Sequence, residues 1–149
     1  MSWIKEEPYQ YSTFESLCVR LLRCGSIPKH VAFIMDGNRR YAKRLGIEHI
    51  QGHSQGFEKL AQTLQWCRDL GIDTVTVYAF SIENFKRPQS EVDALLKLAT
   101  EKFQRLIAEK DRLEEHGVKV VVLGNLNLLP TELQELVYTA MNMTKSHSK

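Results

Sequence analysis

The sequence is poor in the residues that staple or anchor a chain. Its three cysteines (Cys18, Cys24, Cys67) are an odd number without CxxC spacing, which indicates neither a disulfide framework nor a zinc site and suits a reducing compartment. No apolar run approaches the ~20 residues of a membrane span. Lys5, Glu6 and Glu7 stand where a secretory leader would need an apolar stretch. An intracellular protein without signal peptide or transmembrane span is therefore expected, and Asn142-Met143-Thr144 reads as a chance match to a glycosylation sequon. The net charge of +2 is too small to direct the chain to nucleic acid. No strand candidate interleaves aromatic and basic residues as an RNA-binding module would. Any basic site must be local.

Low-complexity tracts, repeats and Pro/Gly/Ser-rich linkers are also missing. One domain over 1–149 is expected, with a helical segment at 1–27 and an α/β core at 28–149. The 43% hydrophobic and 26% charged residues are ordinary for a globular chain of 149 residues, long enough for a real core.

Ser12-Thr13-Phe14-Glu15 has the spacing of a capping box. Phe14, Leu17, Cys18, Leu21 and Leu22 follow at helical intervals up to Gly25, which predicts an amphipathic helix. The apolar run 30–35 reads as a buried strand, as do 74–80 and 118–123. Between them, Phe57, Leu60, Ala61, Leu64 and Cys67 trace the apolar face of a helix over 54–70. The pattern over 90–116 would make a helix of roughly 40 Å, so a kink is expected within it. A last helix over 131–145 opens on Thr131 and Gln134, spaced as another capping box. The fold class is thus α/β: a β-α-β-α-β-α order behind an N-terminal amphipathic helix, giving a parallel β-sheet core flanked by α-helices and covered on both faces.

Ligands of open parallel sheets bind beyond the carboxyl ends of the strands. The first strand runs into Asp36-Gly37-Asn38-Arg39-Arg40 and the second into Ser81-Ile82-Glu83-Asn84-Phe85-Lys86-Arg87-Pro88. Parallel strands would bring both loops to one edge. Arg39 and Arg40 would open a short helix, where cations oppose the helix dipole by about 0.3–1 kcal/mol each. A bound diphosphate reverses that sign, taking both backbone N–H groups and guanidinium forks. Gly37 suits a close backbone approach, and Asp36 suits Mg²⁺, which needs one or two carboxylates plus ligand oxygens. The pentapeptide alone is equally well a turn with a solvated basic face; the second basic loop favours the phosphate site. His53 reads either as a helix-start residue or as a catalytic one. Trp66 reads as core or tunnel lining, and Cys67 as a small buried hydrophobe.

Three ordered segments carry a resemblance. His30-Val31-Ala32-Phe33-Ile34-Met35-Asp36-Gly37-Asn38-Arg39-Arg40-Tyr41-Ala42, Gly52-His53-Ser54-Gln55-Gly56 and Tyr78-Ala79-Phe80-Ser81-Ile82-Glu83-Asn84-Phe85-Lys86-Arg87 resemble successive signatures of the cis-prenyltransferases, most closely the animal dolichol-forming members. The resemblance implies condensation of isopentenyl diphosphate with an allylic diphosphate such as farnesyl diphosphate, yielding a long cis-polyprenyl (dehydrodolichyl) diphosphate for dolichol synthesis and protein glycosylation. It implies Mg²⁺ as cofactor on Asp36, with Asp36, Asn84 and His53 as catalytic candidates. Gly37, Asn38, Arg39, Arg40, Ser81 and Arg87 would bind substrate. The absence of a DDxxD motif fits this family rather than the trans-prenyltransferases. A Nogo-B receptor-like partner subunit and peripheral association with the cytosolic face of the endoplasmic reticulum are implied too, with no role for nucleic acid.

One departure accompanies the match. The family's later Arg-x-Ser-Gly-Glu stretch, which binds isopentenyl diphosphate, has no counterpart among the 149 residues. The chain reads as C-terminally truncated, and a catalytically inactive form that binds a diphosphate or a partner without turnover is the alternative expectation.

Overall fold

The computed structural model describes Trp3 and residues 9–147. These fall into two compact units, one within Lys5–Ser81 and one formed by Ile82–Lys149 with Trp3.

The first unit is a parallel pair of strands with three helices. Its first helix, α1 (Thr13–Arg23), starts as the sequence predicts: the Ser12 hydroxyl accepts from the Glu15 amide, and the Glu15 carboxylate reaches back to the Ser12 amide. Yet none of its residues is buried, and Phe14, Leu17, Leu21 and Leu22 are exposed. Strand β1 (His30–Ile34) pairs in parallel with β2 (Thr74–Tyr78), placing Val31 beside Val75 and Phe33 beside Val77. These four are half-buried, while Ala32, Ile34, Thr76 and Tyr78 alternate onto an exposed face. The expectation of a sheet covered on both faces is corrected here. Parallel strands with one open face are unusual, since such sheets normally bury both.

Two helices link the strands, α2 (Asn38–Leu45) and α3 (His49–Leu70). The apolar stripe expected on the second is real, with Leu60, Ala61 and Cys67 buried. The helix starts five residues before the expected boundary and takes Gly52 and His53 into its second turn. An aromatic clasp lies on its C-terminal half. Tyr9 meets Trp66 edge-on at 5.7 Å, and the Tyr11 hydroxyl donates to Asp69 at 2.7 Å.

The second unit is helical. A 3₁₀ turn (Ile82–Lys86) leads into α4 (Gln89–Ala108), then α5 (Lys110–Glu115) and α6 (Thr131–Met143). The expected kink falls at Glu109, whose φ of −93° and ψ of 22° depart from helical values. Breaking there lets Leu113 on α5 join Leu106 and Ala140 in one buried cluster, with Trp3, Phe103 and Val120 packed against it. Fully burying a leucine such as Leu113 stabilises by about 1.5–3 kcal/mol. Helix α4 begins at Gln89 behind Pro88, one residue before the expected boundary, and α6 behind Pro130 rather than in a capping box. Gln134 reaches back instead to the Leu129 carbonyl at 2.8 Å.

The third expected strand does not form. Among the described residues the sheet has two strands, and 118–123 pairs with neither. Its backbone groups are met from α6 and beyond: Thr144 Oγ1 accepts from the Val120 amide at 3.0 Å, and His147 Nδ1 lies 2.8 Å from the Val118 carbonyl. β-branched residues favour a pleated surface only where a neighbouring strand supplies the ladder. Without one, Val121 and Leu123 stand exposed.

Candidate diphosphate site

The end of β1 and the start of α2 are shaped by one residue. Gly37 sits at φ 89°, a left-handed conformation that L side chains rarely adopt. It turns the chain from strand into helix within three residues, and the Met35 amide carries the parallel pairing one step further, to the Tyr78 carbonyl at 3.1 Å. No side chain caps α2, and its first turn holds Arg39 and Arg40 with no acidic residue. The first turn thus adds positive charge to the positive end of the helix, partly offset by the Asp36 carboxylate, whose Oδ1 accepts from the Gly37 amide. Asp36 stands just outside it, exposed, with Arg40 Nη2 donating to its Oδ2 at 3.0 Å.

Asn38, the first residue of α2, turns its side chain toward α3, where Nδ2 lies 3.3 Å from Nδ1 of His53. Asp36, Gly37, Asn38, Arg39, Arg40 and His53 are thus gathered by the β1–α2–α3 passage. As a helix-start residue His53 is corrected: it lies inside α3, facing α2.

Because β1 and β2 run parallel, Ser81, three residues beyond β2, leaves the same edge of the sheet as Asp36. Asn84 and Arg87 belong to the helical unit. Asn84 lies in the 3₁₀ turn, with its carbonyl accepting from the Arg87 amide at 3.1 Å. The Arg87 guanidinium is drawn in against α4, its Nη1 2.9 Å from Glu91 Oε1, both side chains largely buried. Lys86 instead pairs with Glu83 in an exposed position.

Sequence reasoning missed three participants. Glu91 orients Arg87 from one turn into α4; an acid four residues after a basic one was the available signal. Gly52 and Gly56 lie on the α3 face against Asn38, and their i, i+4 spacing was the corresponding clue. The Cys67 thiol is pushed up by burial, which fits an inert packed cysteine. Among the described residues, no group of three or more His, Cys, Asp or Glu side chains could hold a metal ion. Asp36 does fit a hard cation that draws its remaining ligands from phosphate oxygens, since its carboxylate is exposed at the helix start.

The parallel strand pair that carries this passage belongs to an α/β protein. The chain belongs to the undecaprenyl diphosphate synthase family of prenyltransferases, whose profile matches residues 34–149. It is 58% identical over its whole length to the human dehydrodolichyl diphosphate synthase complex subunit DHDDS, covering 44% of that protein. It is 45% identical over 138 residues to the geranylgeranyl-diphosphate-specific tritrans,polycis-undecaprenyl-diphosphate synthase of Thermococcus kodakarensis, covering 93% of this chain and 52% of that one. Among solved structures it resembles lavandulyl diphosphate synthase from Lavandula x intermedia, in complex with dimethylallyl diphosphate, with a TM-score of 0.74 and 28% identity. That match covers 81% of this chain and 51% of the other. The chain spans about half the length of the relatives it matches.

Proposed function

We propose that the chain takes part in cis-prenyl transfer, condensing isopentenyl diphosphate with an allylic diphosphate, farnesyl diphosphate, toward dehydrodolichyl diphosphate. The observation that carries this reading is the start of α2: an uncapped helix N-terminus with Gly37 left-handed, Arg39 and Arg40 in its first turn and Asp36 beside it. Such a helix end attracts an anion, and a bound anion offsets the repulsion between the arginines and the helix dipole. The match of one family profile across both compact units supports treating them as parts of a single domain.

In this reading the allylic C–O bond breaks as the isopentenyl double bond forms the new C–C bond, and a proton is then lost to leave a cis double bond. The first-turn N–H groups of α2 and the guanidinium groups of Arg39 and Arg40 bind the diphosphate and take up the charge that grows on it as it departs, and Arg87 is assigned to substrate binding on the family resemblance. Glu91 holds Arg87 in one direction, so that its fork is preset. Ser81, Asn84 and His53 are assigned to the surroundings of the reacting groups. Mg²⁺, held by Asp36 and phosphate oxygens, would supply further stabilisation of the leaving group.

A partner subunit of the Nogo-B receptor kind is part of the proposal, supported by the human relative's designation as a complex subunit. So is peripheral association with the endoplasmic reticulum, supported by the exposed Phe14, Leu17 and Leu21 of α1. No helix among the described residues is long and apolar enough to cross a membrane.

The deciding experiment is incorporation of labelled isopentenyl diphosphate into farnesyl diphosphate with Mg²⁺, with and without the partner subunit. Extended product supports the enzyme. Binding of farnesyl diphosphate without product would support a chain that holds one substrate and does not turn over.

A further inference from the structure

The contact between α2 and α3 is built on missing side-chain atoms. Gly52 and Gly56 face Asn38 and the fully buried Ala42. The three atoms nearest a Cβ on Gly56 all belong to the Asn38 side chain: 2.9 Å to Cγ, 3.0 Å to Nδ2, and closer still to Oδ1. A Cβ on Gly52 would meet backbone, 2.6 Å from the Asn38 carbonyl oxygen, as well as the Ala42 methyl at 2.9 Å. The two glycines therefore do different jobs. Gly52 lets the helices approach, whereas Gly56 leaves a seat for one carboxamide.

We infer that Gly56 is a positioning residue for Asn38, holding its carboxamide against α3 so that the first-turn N–H groups of α2 stay open to a diphosphate. An asparagine at a helix start readily turns its carboxamide onto nearby backbone groups, competing for the donors an anion would use. In the seat, Oδ1 lies over Gly56 and Nδ2 faces His53. A methyl group at position 56 removes the seat and expels the carboxamide toward the helix end. Gly56 touches no substrate in this scheme; it acts through Asn38. The inference rests on the diphosphate reading of the α2 N-terminus.

The test is a double-mutant cycle on this chain with N38A, G56A and N38A/G56A, read by farnesyl diphosphate affinity in the presence of Mg²⁺ and by thermal melting. G56A should weaken binding by roughly tenfold, and the double variant should recover the affinity of N38A rather than keep that loss, because no carboxamide remains to take the donors. Melting should show a change of sign. G56A lowers Tm in the parent, but raises it in the N38A background, where an alanine favours the helix over glycine and has no carboxamide to strike. G52A, which strikes backbone, should not be relieved by N38A.

Multiplying effects on affinity would overturn the inference, because Gly56 would then act independently of Asn38. If N38A weakens binding and G56A does not, the inference falls while the diphosphate reading stands. If the parent chain shows no affinity for farnesyl diphosphate, the diphosphate reading falls and the inference with it. Should G56A fail to fold, the double variant decides: folded with the affinity of N38A it supports the seat, and unfolded it overturns it.

Discussion

Arg40 Nη2 lies 3.0 Å from Asp36 Oδ2, across the left-handed Gly37 that joins β1 to α2. Both side chains are exposed, so the pair contributes ~0–1 kcal/mol to stability. Asp36→Ala should therefore leave the melting temperature nearly unchanged while abolishing Mg²⁺-dependent condensation in an active assembly. Turnover and melting measured on the same preparation check this. Retained turnover would remove Asp36 from the metal site.

Arg87 is held differently. Its ion pair with Glu91 is largely buried, with 20% and 14% of the two side chains exposed. Arg87→Ala removes a preset guanidinium and should weaken allylic diphosphate affinity at least about tenfold, a loss of ~1.4 kcal/mol or more. Calorimetric titration with farnesyl diphosphate reads it directly, and an unchanged affinity would place the diphosphate elsewhere.

Thr144 is fully buried, its hydroxyl accepting from the Val120 amide at 3.0 Å and donating to the Ala140 carbonyl at 2.9 Å. Thr144→Val keeps the shape and strands the Val120 amide. A cost of about 1–3 kcal/mol is expected, the usual range for a buried donor left without its acceptor. Chemical denaturation should show a lower midpoint for this variant, whereas an unchanged midpoint would mean the Val120 amide finds another partner.

The Glu15 carboxylate is held below its ordinary value of 4.5, first by the hydrogen bond from the Ser12 amide and then by that from the Ser12 hydroxyl. A depressed folded value means the stabilisation is fully present above the unfolded value and is lost as pH falls through the folded one. The start of α1 should thus loosen on acidification below ~4.5, and Glu15→Gln should remove that dependence. Amide proton exchange at Glu15 and Ser16 across an acid titration would show it.

Legibility in the sequence followed the range of the interactions. The α1 cap was readable because Ser12 and Glu15 satisfy each other within one turn. The parallel strands at 30–34 and 74–78 were readable because each continuous apolar run has the other as its ladder partner. At 118–123 the same signal misled. Strand formation there depends on a neighbour that the described residues do not supply, and Thr144 and His147 take the backbone groups instead. In the candidate site, the charges of Asp36, Arg39 and Arg40 announced themselves. The seat on α3 did not, because Gly56 contributes an absence, visible only once Asn38 lies against it.

The two-stranded sheet has a practical consequence. With β1 and β2 as each other's only ladder partners among the described residues, each keeps an outer rim of amide and carbonyl groups, and Ile34 and Tyr78 crown the exposed face. Such a rim is a template for edge-to-edge pairing between molecules. Where such a rim stays open, a lysine placed on an outward-facing β2 position such as Thr76 disfavours strand addition.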